Sequence, residues 1–137
     1  FTSESPARGE WEVPPVVSHH DVPPDWRFVV AVPEGKGKHG ESEDESIRDV
    51  ISRADPSIAD EISSTIVDEV LPGITTGDIK EFGAGIERVG RLNGAWYTSF
   101  QGGVYRKEAL PIVQKLREHP DVAGVGQSSW GPAVYGL

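Results

Sequence analysis

Short strand-like runs on either side of a long stretch of helical periodicity restrict the fold of this chain more than any other feature of its sequence. The first run, Trp26 to Val32, is mostly apolar, β-branched and aromatic and ends at Pro33. Because its apolar residues are nearly continuous, it predicts a central strand covered on both faces, or at least one well inside a sheet. Further strands are predicted at Val122 to Val125 and at Val134-Tyr135. This order predicts an α+β fold in which helices pack on one face of a small antiparallel sheet.

Three or four helices are predicted between the first strand and the second. Asp55-Pro56 is a start signal, an N-cap acid followed by proline at the first helical position, and Pro72-Gly73 is expected to end that helix. Each glycine inside the third helix costs about 1 kcal/mol relative to alanine, so we expect these glycines to allow close contact with a neighbouring helix or a substrate. The helices are predicted at about Glu45 to Ala54, Pro56 to Val70, Thr76 or Asp78 to Phe100 and Glu108 to Arg117, and the glycines of the third are Gly83, Gly85, Gly90 and Gly94.

The segment from Gly124 to Pro132, with the sequence Gly-Val-Gly-Gln-Ser-Ser-Trp-Gly-Pro, has the composition of a ligand-binding loop. Glycine lets the main chain approach a ligand and take positive φ, so consecutive N–H groups can converge on an anion. Gln127, Ser128 and Ser129 add side-chain donors, and Trp130 adds an aromatic wall. The alternative is a tight connection from the strand to the next element, with a tryptophan that belongs to the core. Composition alone does not decide between the two.

A second loop lies between the last two predicted helices, where Gln101 is followed by two glycines and then by Tyr105. Such a loop can carry a polar group into a cleft. No convincing general base is found, so no catalytic residue is assigned. The candidate substrate-binding residues are Gln101, Gly102, Gly103, Gly124, Gly126, Gln127, Ser128, Ser129 and Trp130.

Three other polar clusters are weaker candidates. The loop from Gly35 to Gly40 has two lysines but lacks the Gly-Lys-Ser/Thr ending of a nucleotide phosphate loop. The acidic run from Glu41 to Glu45 is best explained as the solvated first turn of a helix, with a role in magnesium binding as the alternative. His19 and His20 are adjacent, and on an extended segment they would point to opposite sides. No metal ligand is therefore assigned.

Composition excludes several classes of function. The formal net charge of −9 over 137 residues argues against nucleic-acid binding, which needs an excess of lysine and arginine. The absence of cysteine removes disulfides, thiolate metal sites and thiol nucleophiles. No run is long and apolar enough to span a bilayer, and the N-terminus has no signal pattern. A cytoplasmic protein without nucleic-acid or membrane partners is therefore predicted.

The ends of the sequence predict a piece of a longer protein. The chain contains no methionine, begins with Phe1, and stops at Leu137 directly after an apolar run. Residues 1–24 are rich in proline, which removes donors and favours extended backbone, so they are predicted to form an arm or linker. Residues 25–137 are predicted to form part of a domain.

Several motifs together resemble the archaeal β-ribofuranosylaminobenzene 5′-phosphate synthase family, which belongs to the GHMP kinase superfamily. They are Gln-Gly-Gly-x-Tyr at 101–105, the string at 124–132, Pro-Asp-Trp at 24–26 and Gly-x-x-Glu at 40–43. The similarity runs from about Pro23 to the last residue, and Gly-Gln-Ser-Ser-Trp-Gly-Pro is its specific signature. The resemblance implies a ferredoxin-like C-terminal half, of which this chain holds the preceding linker and the first part, incomplete at both ends.

For the whole protein the resemblance implies transfer of ribose phosphate from phosphoribosyl pyrophosphate to a 4-substituted benzoate with loss of carbon dioxide, a Mg²⁺-dependent step toward methanopterin. The implied partners are a phosphorylated sugar, an aromatic acid, the missing N-terminal half with its phosphate loop and, through exposed strand edges, a second copy of the chain. In this setting the loop around Gly126 lines the active site. Its N–H groups and serine hydroxyls would hold phosphate or carboxylate, Gln101 would orient the ribose, and Trp130 would pack on the aromatic acceptor.

The sequence departs from the family in three respects, and two other functions stay open. Ala133 stands where the resemblance implies a small hydroxyl residue, and both the N-terminal phosphate loop and the closing strands of the ferredoxin-like half are absent from this chain. One alternative is a GHMP small-molecule kinase, which would need an adenine pocket in the missing half. The other is a non-catalytic binding or scaffold domain, which is favoured if the loop around Gly126 is buried against the chain's own helices without an open cleft.

Overall fold

The computed structural model describes residues 15–34, 55–129 and 131–137. The predicted helix from Glu45 to Ala54, the Gly35 to Gly40 loop, the acidic run after it and Trp130 all lie outside the described residues. The elements in chain order are β1 (Val29–Ala31), α1 (Pro56–Thr65), a π-helical turn (Ile66–Val70), α2 (Leu71–Thr76), α3 (Ile79–Trp96), α4 (Thr98–Gln101), α5 (Leu110–Arg117), β2 (Val125–Gln127) and β3 (Val134–Gly136). No helix among the described residues is long and apolar enough to cross a membrane.

The three strands form one antiparallel sheet in the order β1-β3-β2. The predicted α+β class with a small antiparallel sheet is therefore confirmed. β2 begins at Val125, three residues later than predicted, although Ala123 and Gly124 already exchange backbone hydrogen bonds with Leu137 at 2.7 and 2.9 Å. The strand thus includes Gly126 and Gln127, two residues predicted to lie in a loop.

The prediction of a covered central strand at Trp26 to Val32 is wrong. Only Val29–Ala31 forms a strand, and β1 lies at an edge of the sheet, where it pairs with β3. Val29 is 58% exposed and Val30 is 62% exposed. An apolar, β-branched run favours extended backbone, but it does not specify whether the strand has one neighbour or two.

The pairing register divides the sheet into two faces, since directly opposed residues point the same way. One face, called the closed face, carries the rows Val29-Gly136-Val125 and Ala31-Val134-Gln127; the other, called the open face, carries the row Val30-Tyr135-Gly126. α5 covers the closed face, where Val113, Val125 and Val134 are fully buried.

The expectation that the helices lie on one face is also corrected. A Cβ at Gly90 of α3 would lie 3.4 Å from the Tyr135 hydroxyl on the open face, and that hydroxyl donates to the Ile86 carbonyl at 3.5 Å. α3 therefore reaches the face opposite α5. Contact with α3 therefore covers part of the aromatic ring of Tyr135.

The predicted N-cap at Asp55 is confirmed, and Asp78, one of the two predicted starting points of the next helix, is an N-cap as well. Asp55 Oδ1 accepts from the Ser57 N–H at 2.9 Å, and Pro56 occupies the first turn of α1. Asp78 Oδ1 accepts from the N–H groups of Lys80 and Glu81 at 2.9 and 3.1 Å. These carboxylates satisfy donors that have no partner within the helix, which places the starts of α1 and α3.

The predicted helix stop at Pro72-Gly73 is wrong. The helical backbone continues through the π-helical turn and α2 to Gly77, which ends it with a φ of 74°. At the end of the π-helical turn Leu71 N–H donates to Ile66 O, five residues back, so the widened turn accommodates a proline in the next position. Gly73 is buried, and a Cβ there would overlap the backbone of Phe82.

Close contact at the glycines of α3 is confirmed, and the contacts are with the protein itself. A Cβ at Gly83 would overlap the Ala123 carbonyl, one at Gly85 would press on Val70, and one at Gly94 would overlap the Val104 carbonyl. The glycines let neighbouring backbone approach the helix directly. A second core cluster forms nearby, where the rings of Trp26 and Phe82 lie 5.0 Å apart beside buried Leu137.

Candidate substrate-binding site

The segment from Gly124 to Pro132 forms the second half of a strand and the loop of a β-hairpin. β2 ends at Gln127 and β3 begins at Val134. Ser128 N–H donates to Ala133 O at 2.9 Å, and Gly131 N–H donates to Ser128 O at 2.7 Å. The backbone therefore makes the strand-to-strand connection that was one of the two interpretations of the sequence.

This pairing uses one of the N–H groups of Gly126 to Ser128 that were predicted to converge on an anion. Ser128 N–H is used by Ala133, and Gly126 is opposite Tyr135 in the sheet. The glycines make room for the protein's own atoms, because a Cβ at Gly126 would overlap the Tyr135 ring and one at Gly124 would overlap the Gly83 carbonyl. The N–H groups of Ser128 and Gly131 are therefore used within the hairpin.

Gln127 and Gln101, both predicted as site residues, are hydrogen-bonded to each other. Gln127 Nε2 donates to Gln101 Oε1 at 3.0 Å and to Ser129 O at 3.1 Å, while its Oε1 accepts from the Arg106 N–H at 2.8 Å. Gln127 is 7% exposed, since strand alternation places it on the closed face. Its amide holds three segments of backbone together.

The Gln101 amide is used in the same way. Its Nε2 donates to Val104 O at 2.9 Å and to Gly94 O at 3.4 Å. Gly102 ends α4 with a φ of 81°, a left-handed conformation that glycine adopts without strain. Both N–H groups of each glutamine are therefore bonded within the protein. The structure brings the two predicted loops together, and the glutamines position them.

Ser128 and Ser129 remain as the site residues with uncommitted side chains. Both are exposed, and neither hydroxyl has a hydrogen-bond partner within the part of the chain that the structure describes. Ser129 has a φ of 48°, which is uncommon for a residue other than glycine. The hairpin thus presents two hydroxyls to solvent, and Trp130 next to them is not among the described residues.

A cavity of about 350 Å³ opens beside Ser128 on the open face of the sheet. The Phe28 and Tyr135 rings form adjacent walls, with centroids 6.3 Å apart in an edge-to-face arrangement. No sequence pattern indicated this cavity, because Trp26 to Val32 was predicted to be covered. We call it the open-face cavity; its lining residues are Phe28, Val30, Ile86, Ser128, Ala133, Val134 and Tyr135.

Sequence reasoning also missed Glu87 of α3. Its Oε2 accepts from the Val125 N–H at 3.1 Å, and its Oε1 accepts from Arg117 Nε and Nη2 at 3.0 and 2.8 Å. A carboxylate in an amphipathic helix is ordinarily assigned to the solvated face, so periodicity alone carries no signal for this contact. Glu87 links α3, α5 and the first residue of β2.

Two tyrosines near this carboxylate have raised pKa values. Burial raises the pKa of the Tyr135 hydroxyl, and the neighbouring Tyr105 and Glu87 add to the effect. Burial also raises the pKa of Tyr105, against the lowering influence of Arg117, whose Nη2 donates to the Tyr105 hydroxyl at 3.4 Å. Both phenols are therefore neutral donors at physiological pH.

A larger cavity of about 730 Å³ lies along α3, where Glu61 of α1, Val104 and Ala123 also line it. Two of its lining residues are the cations Arg88 and Arg91, and Arg88 is already bonded to Glu61 at 3.0 Å and to Glu69 at 2.8 Å. Among residues 15–34, 55–129 and 131–137, no group of three acidic or histidine side chains is arranged to hold a metal ion. The implied Mg²⁺ therefore has no fitting ligand set in these ranges.

Comparison with known proteins gives two archaeal relatives. No family model matches the chain. A protein of Methanothermobacter thermautotrophicus named β-ribofuranosylphenol 5′-phosphate synthase is 27% identical over 127 residues, which is 90% of this chain. A protein of the same name from Archaeoglobus fulgidus is 28% identical over the same share. The chain spans 36% of the length of each relative. The resemblance predicted from the motifs is thus confirmed, and the relatives' name specifies a ribofuranosylphenol where the predicted family name specified a ribofuranosylaminobenzene.

Proposed function

We propose that this chain forms the acceptor-binding part of an enzyme that transfers ribose phosphate from phosphoribosyl pyrophosphate to a 4-substituted benzoate with decarboxylation. The observation that supports it is the similarity to two synthases over 90% of the chain. Their printed name specifies a phenol product, which fits a 4-hydroxy acceptor, whereas an aminobenzene product would come from a 4-amino acceptor. Because the chain covers about a third of those proteins, the remaining substrate contacts belong to the rest of the enzyme.

In the proposed reaction three bonds change. The bond from ribose C1 to pyrophosphate breaks, the bond from the ring to its carboxylate breaks, and a bond forms between ribose C1 and that ring carbon. Pyrophosphate leaves with the electron pair of the first bond, and carbon dioxide leaves its pair to the ring. Positive charge develops at C1 in such a transfer, so catalysis depends on positioning and electrostatic stabilisation.

The described residues contribute positioning. The exposed hydroxyls of Ser128 and Ser129 are available to donate to phosphate or carboxylate oxygens. Gln127 and Gln101 act through the hydrogen bonds that hold the hairpin against the preceding loop, in place of the direct ribose contact expected from the sequence. Mg²⁺ remains part of the proposal as a companion of the pyrophosphate group, and no step is assigned to it because the described residues hold no fitting cluster.

The finer fold assignment belongs to the same proposal. A β-α-β-β-α-β domain of the ferredoxin-like type begins with one strand, a helical connection and a hairpin. The order β1-β3-β2, with the helices between β1 and β2 and a hairpin joining β2 to β3, has this arrangement. It supports a GHMP-type C-terminal half of which three strands are present.

The test is pyrophosphate release by the protein expressed from the complete coding sequence, with phosphoribosyl pyrophosphate, Mg²⁺ and 4-hydroxybenzoate or 4-aminobenzoate. Ser128→Ala and Ser129→Ala should each lower kcat/KM about tenfold, on the scale of one lost charge-assisted hydrogen bond. Ser64→Ala is the matched control, because its exposed hydroxyl donates only within α1, to Asp60 O at 2.9 Å. Absence of pyrophosphate release with either acid would refute the proposal.

A non-catalytic scaffold is the second candidate, and one observation favours it. The amides of Gln101 and Gln127 are satisfied within the protein, as a purely structural loop requires. A scaffold would not need the exposed serines or the adjacent open-face cavity, so these features argue against it. If both serine variants fold normally and turn over at the wild-type rate, the hairpin is structural and the scaffold assignment gains.

A further inference from the structure

The open-face cavity is built for an uncharged, flat group. At about 350 Å³ it lies at the lower end of the range for small-molecule sites, which suits a ligand of single-ring size. Its walls are the side chains of Phe28, Val30, Ile86 and Tyr135, and no charged residue of the described chain lines it. A phosphate or pyrophosphate group would lose its hydration there without gaining an ionic partner.

The polar end of the cavity is the hairpin. Ser128 is the lining residue that carries a side-chain hydroxyl without a protein partner in the described chain, and Ser129 follows it on the exposed loop. A ligand placed in the cavity therefore has its apolar part between β1 and α3 and its polar part at the two serines. This polarity matches a molecule with an aromatic ring at one end and a ribose phosphate at the other.

We infer that the open-face cavity binds the aromatic ring of the acceptor, with the ring between Val30 and Ile86 and its edge toward Phe28 and Tyr135. The identity of the occupant rests on the proposed function, through the phenol in the relatives' printed name. Phe28 and Tyr135 are already edge-to-face at 6.3 Å, an arrangement that a third ring can extend. In this assignment the acceptor ring contacts Phe28 and Tyr135, which were not among the predicted site residues.

β1 supplies a matched pair of variants for the test. Val30 lines the cavity, whereas Val29 points to the closed face, and the two residues are 62% and 58% exposed. Val30→Trp should fill the cavity, while Val29→Trp adds the same side chain to the opposite face. Both positions are open enough to accept the substitution, and thermal unfolding of each variant verifies that the fold is retained.

The experiment is a calorimetric titration of the protein from the complete coding sequence with 4-hydroxybenzoate, with cyclohexanecarboxylate as a non-aromatic control ligand. Val30→Trp should raise the dissociation constant about tenfold or more, Phe28→Ala should raise it about threefold to tenfold, and Val29→Trp should leave it unchanged. Cyclohexanecarboxylate should bind more weakly than the aromatic acid to the wild type. Pyrophosphate release is measured on the same samples.

The outcomes separate this inference from the proposed function. Aromatic binding that is lost in Val30→Trp and kept in Val29→Trp supports the cavity assignment, even if no pyrophosphate is released and the proposed reaction fails. Pyrophosphate release with the same KM for the acid in the wild type and in both tryptophan variants overturns the cavity assignment and leaves the reaction standing. Lack of any aromatic binding also overturns the assignment, as expected if another part of the protein covers this face.

Discussion

The two faces of the sheet are built from the same three strands and differ in what they leave accessible. On the closed face, Val125 and Val134 are fully buried under α5. On the open face, Phe28 is 47% exposed and Val30 is 62% exposed around a cavity. Adjacent residues of one strand therefore have opposite roles. In the hairpin, Gln127 belongs to the closed face and is structural, whereas Ser128 lines the cavity and is available to a ligand.

The same strands therefore supply residues both to the hydrophobic core and to the candidate binding site. Strand alternation alone sends every second residue to α5 and the others to the open face. A change on one face should therefore affect stability, and a change on the other should affect binding. The predictions below test this division.

The largest effect on stability is expected at the closed face. Val113→Ala removes two methyl groups from a fully buried position between α5 and the strands, and it should lower the free energy of unfolding by about 2 to 3 kcal/mol. Val30→Ala on the open face should change it by less than about 0.5 kcal/mol. Urea denaturation of both variants measures the difference. Equal losses of unfolding free energy would mean that the two faces are packed alike, which would contradict the difference between them.

A smaller loss is expected from the buried amide at the hairpin. Gln127→Leu leaves the Arg106 N–H and the Ser129 carbonyl without this partner, so it should cost about 1 to 3 kcal/mol. Because of this cost, a variant that replaces both Gln127 and Ser128 would not distinguish a loss of stability from a loss of ligand binding. Faster amide exchange at Arg106 is the specific readout. An unchanged exchange rate at that N–H would show that the amide does not hold the loop.

The smallest effect concerns the two tyrosines and appears only at alkaline pH. Burial raises the pKa of Tyr135 on the open face and of Tyr105 beside the closed-face core. The folded protein then keeps a proton that the unfolded chain loses near pH 10, so stability falls as the pH rises from about 10 through the folded-state pKa. Tyr135→Phe and Tyr105→Phe should each reduce this fall, measured by thermal unfolding between pH 8 and 11. A steeper fall in either variant would contradict the assignment.

Much of the fold could be predicted because its signals are local. The carboxylate of the N-cap Asp55 acts within two positions of itself, so the sequence identifies this helix start directly. The existence of α3 and the strand at Val134 follow from short-range periodicity and apolar composition in the same way, although α3 ends at Trp96 and not at the predicted Phe100. The exposed edge position of β1 could not be predicted, since it depends on which strands pair and not on the composition of the run.

The site was predictable in part, for a related reason. The motifs located the two loops that the structure brings together through Gln101 and Gln127. They did not indicate that Gln127 lies on the closed face, because that depends on where β2 begins and therefore on the register of the hairpin. The contact from Glu87 to Val125 spans 38 positions, and the cavity joins residues more than 100 positions apart, so no short-range pattern reports either of them.

The π-helical turn at Ile66–Val70 sets how tolerant this region is of changes in chain length. A π-helical turn holds one residue more than an α-helical turn, so deleting a single residue there would restore regular α-helical bonding. Because five residues of a π-helix turn the chain through about the same angle as four of an α-helix, the residues after the deletion would keep nearly the same orientation. Gly73 would still face the backbone of Phe82, but Pro72 would fall inside a regular helix, where its ring clashes with the carbonyl four residues back. A one-residue gap within 66–70 would therefore preserve the packing register of the helix and lower its stability at Pro72.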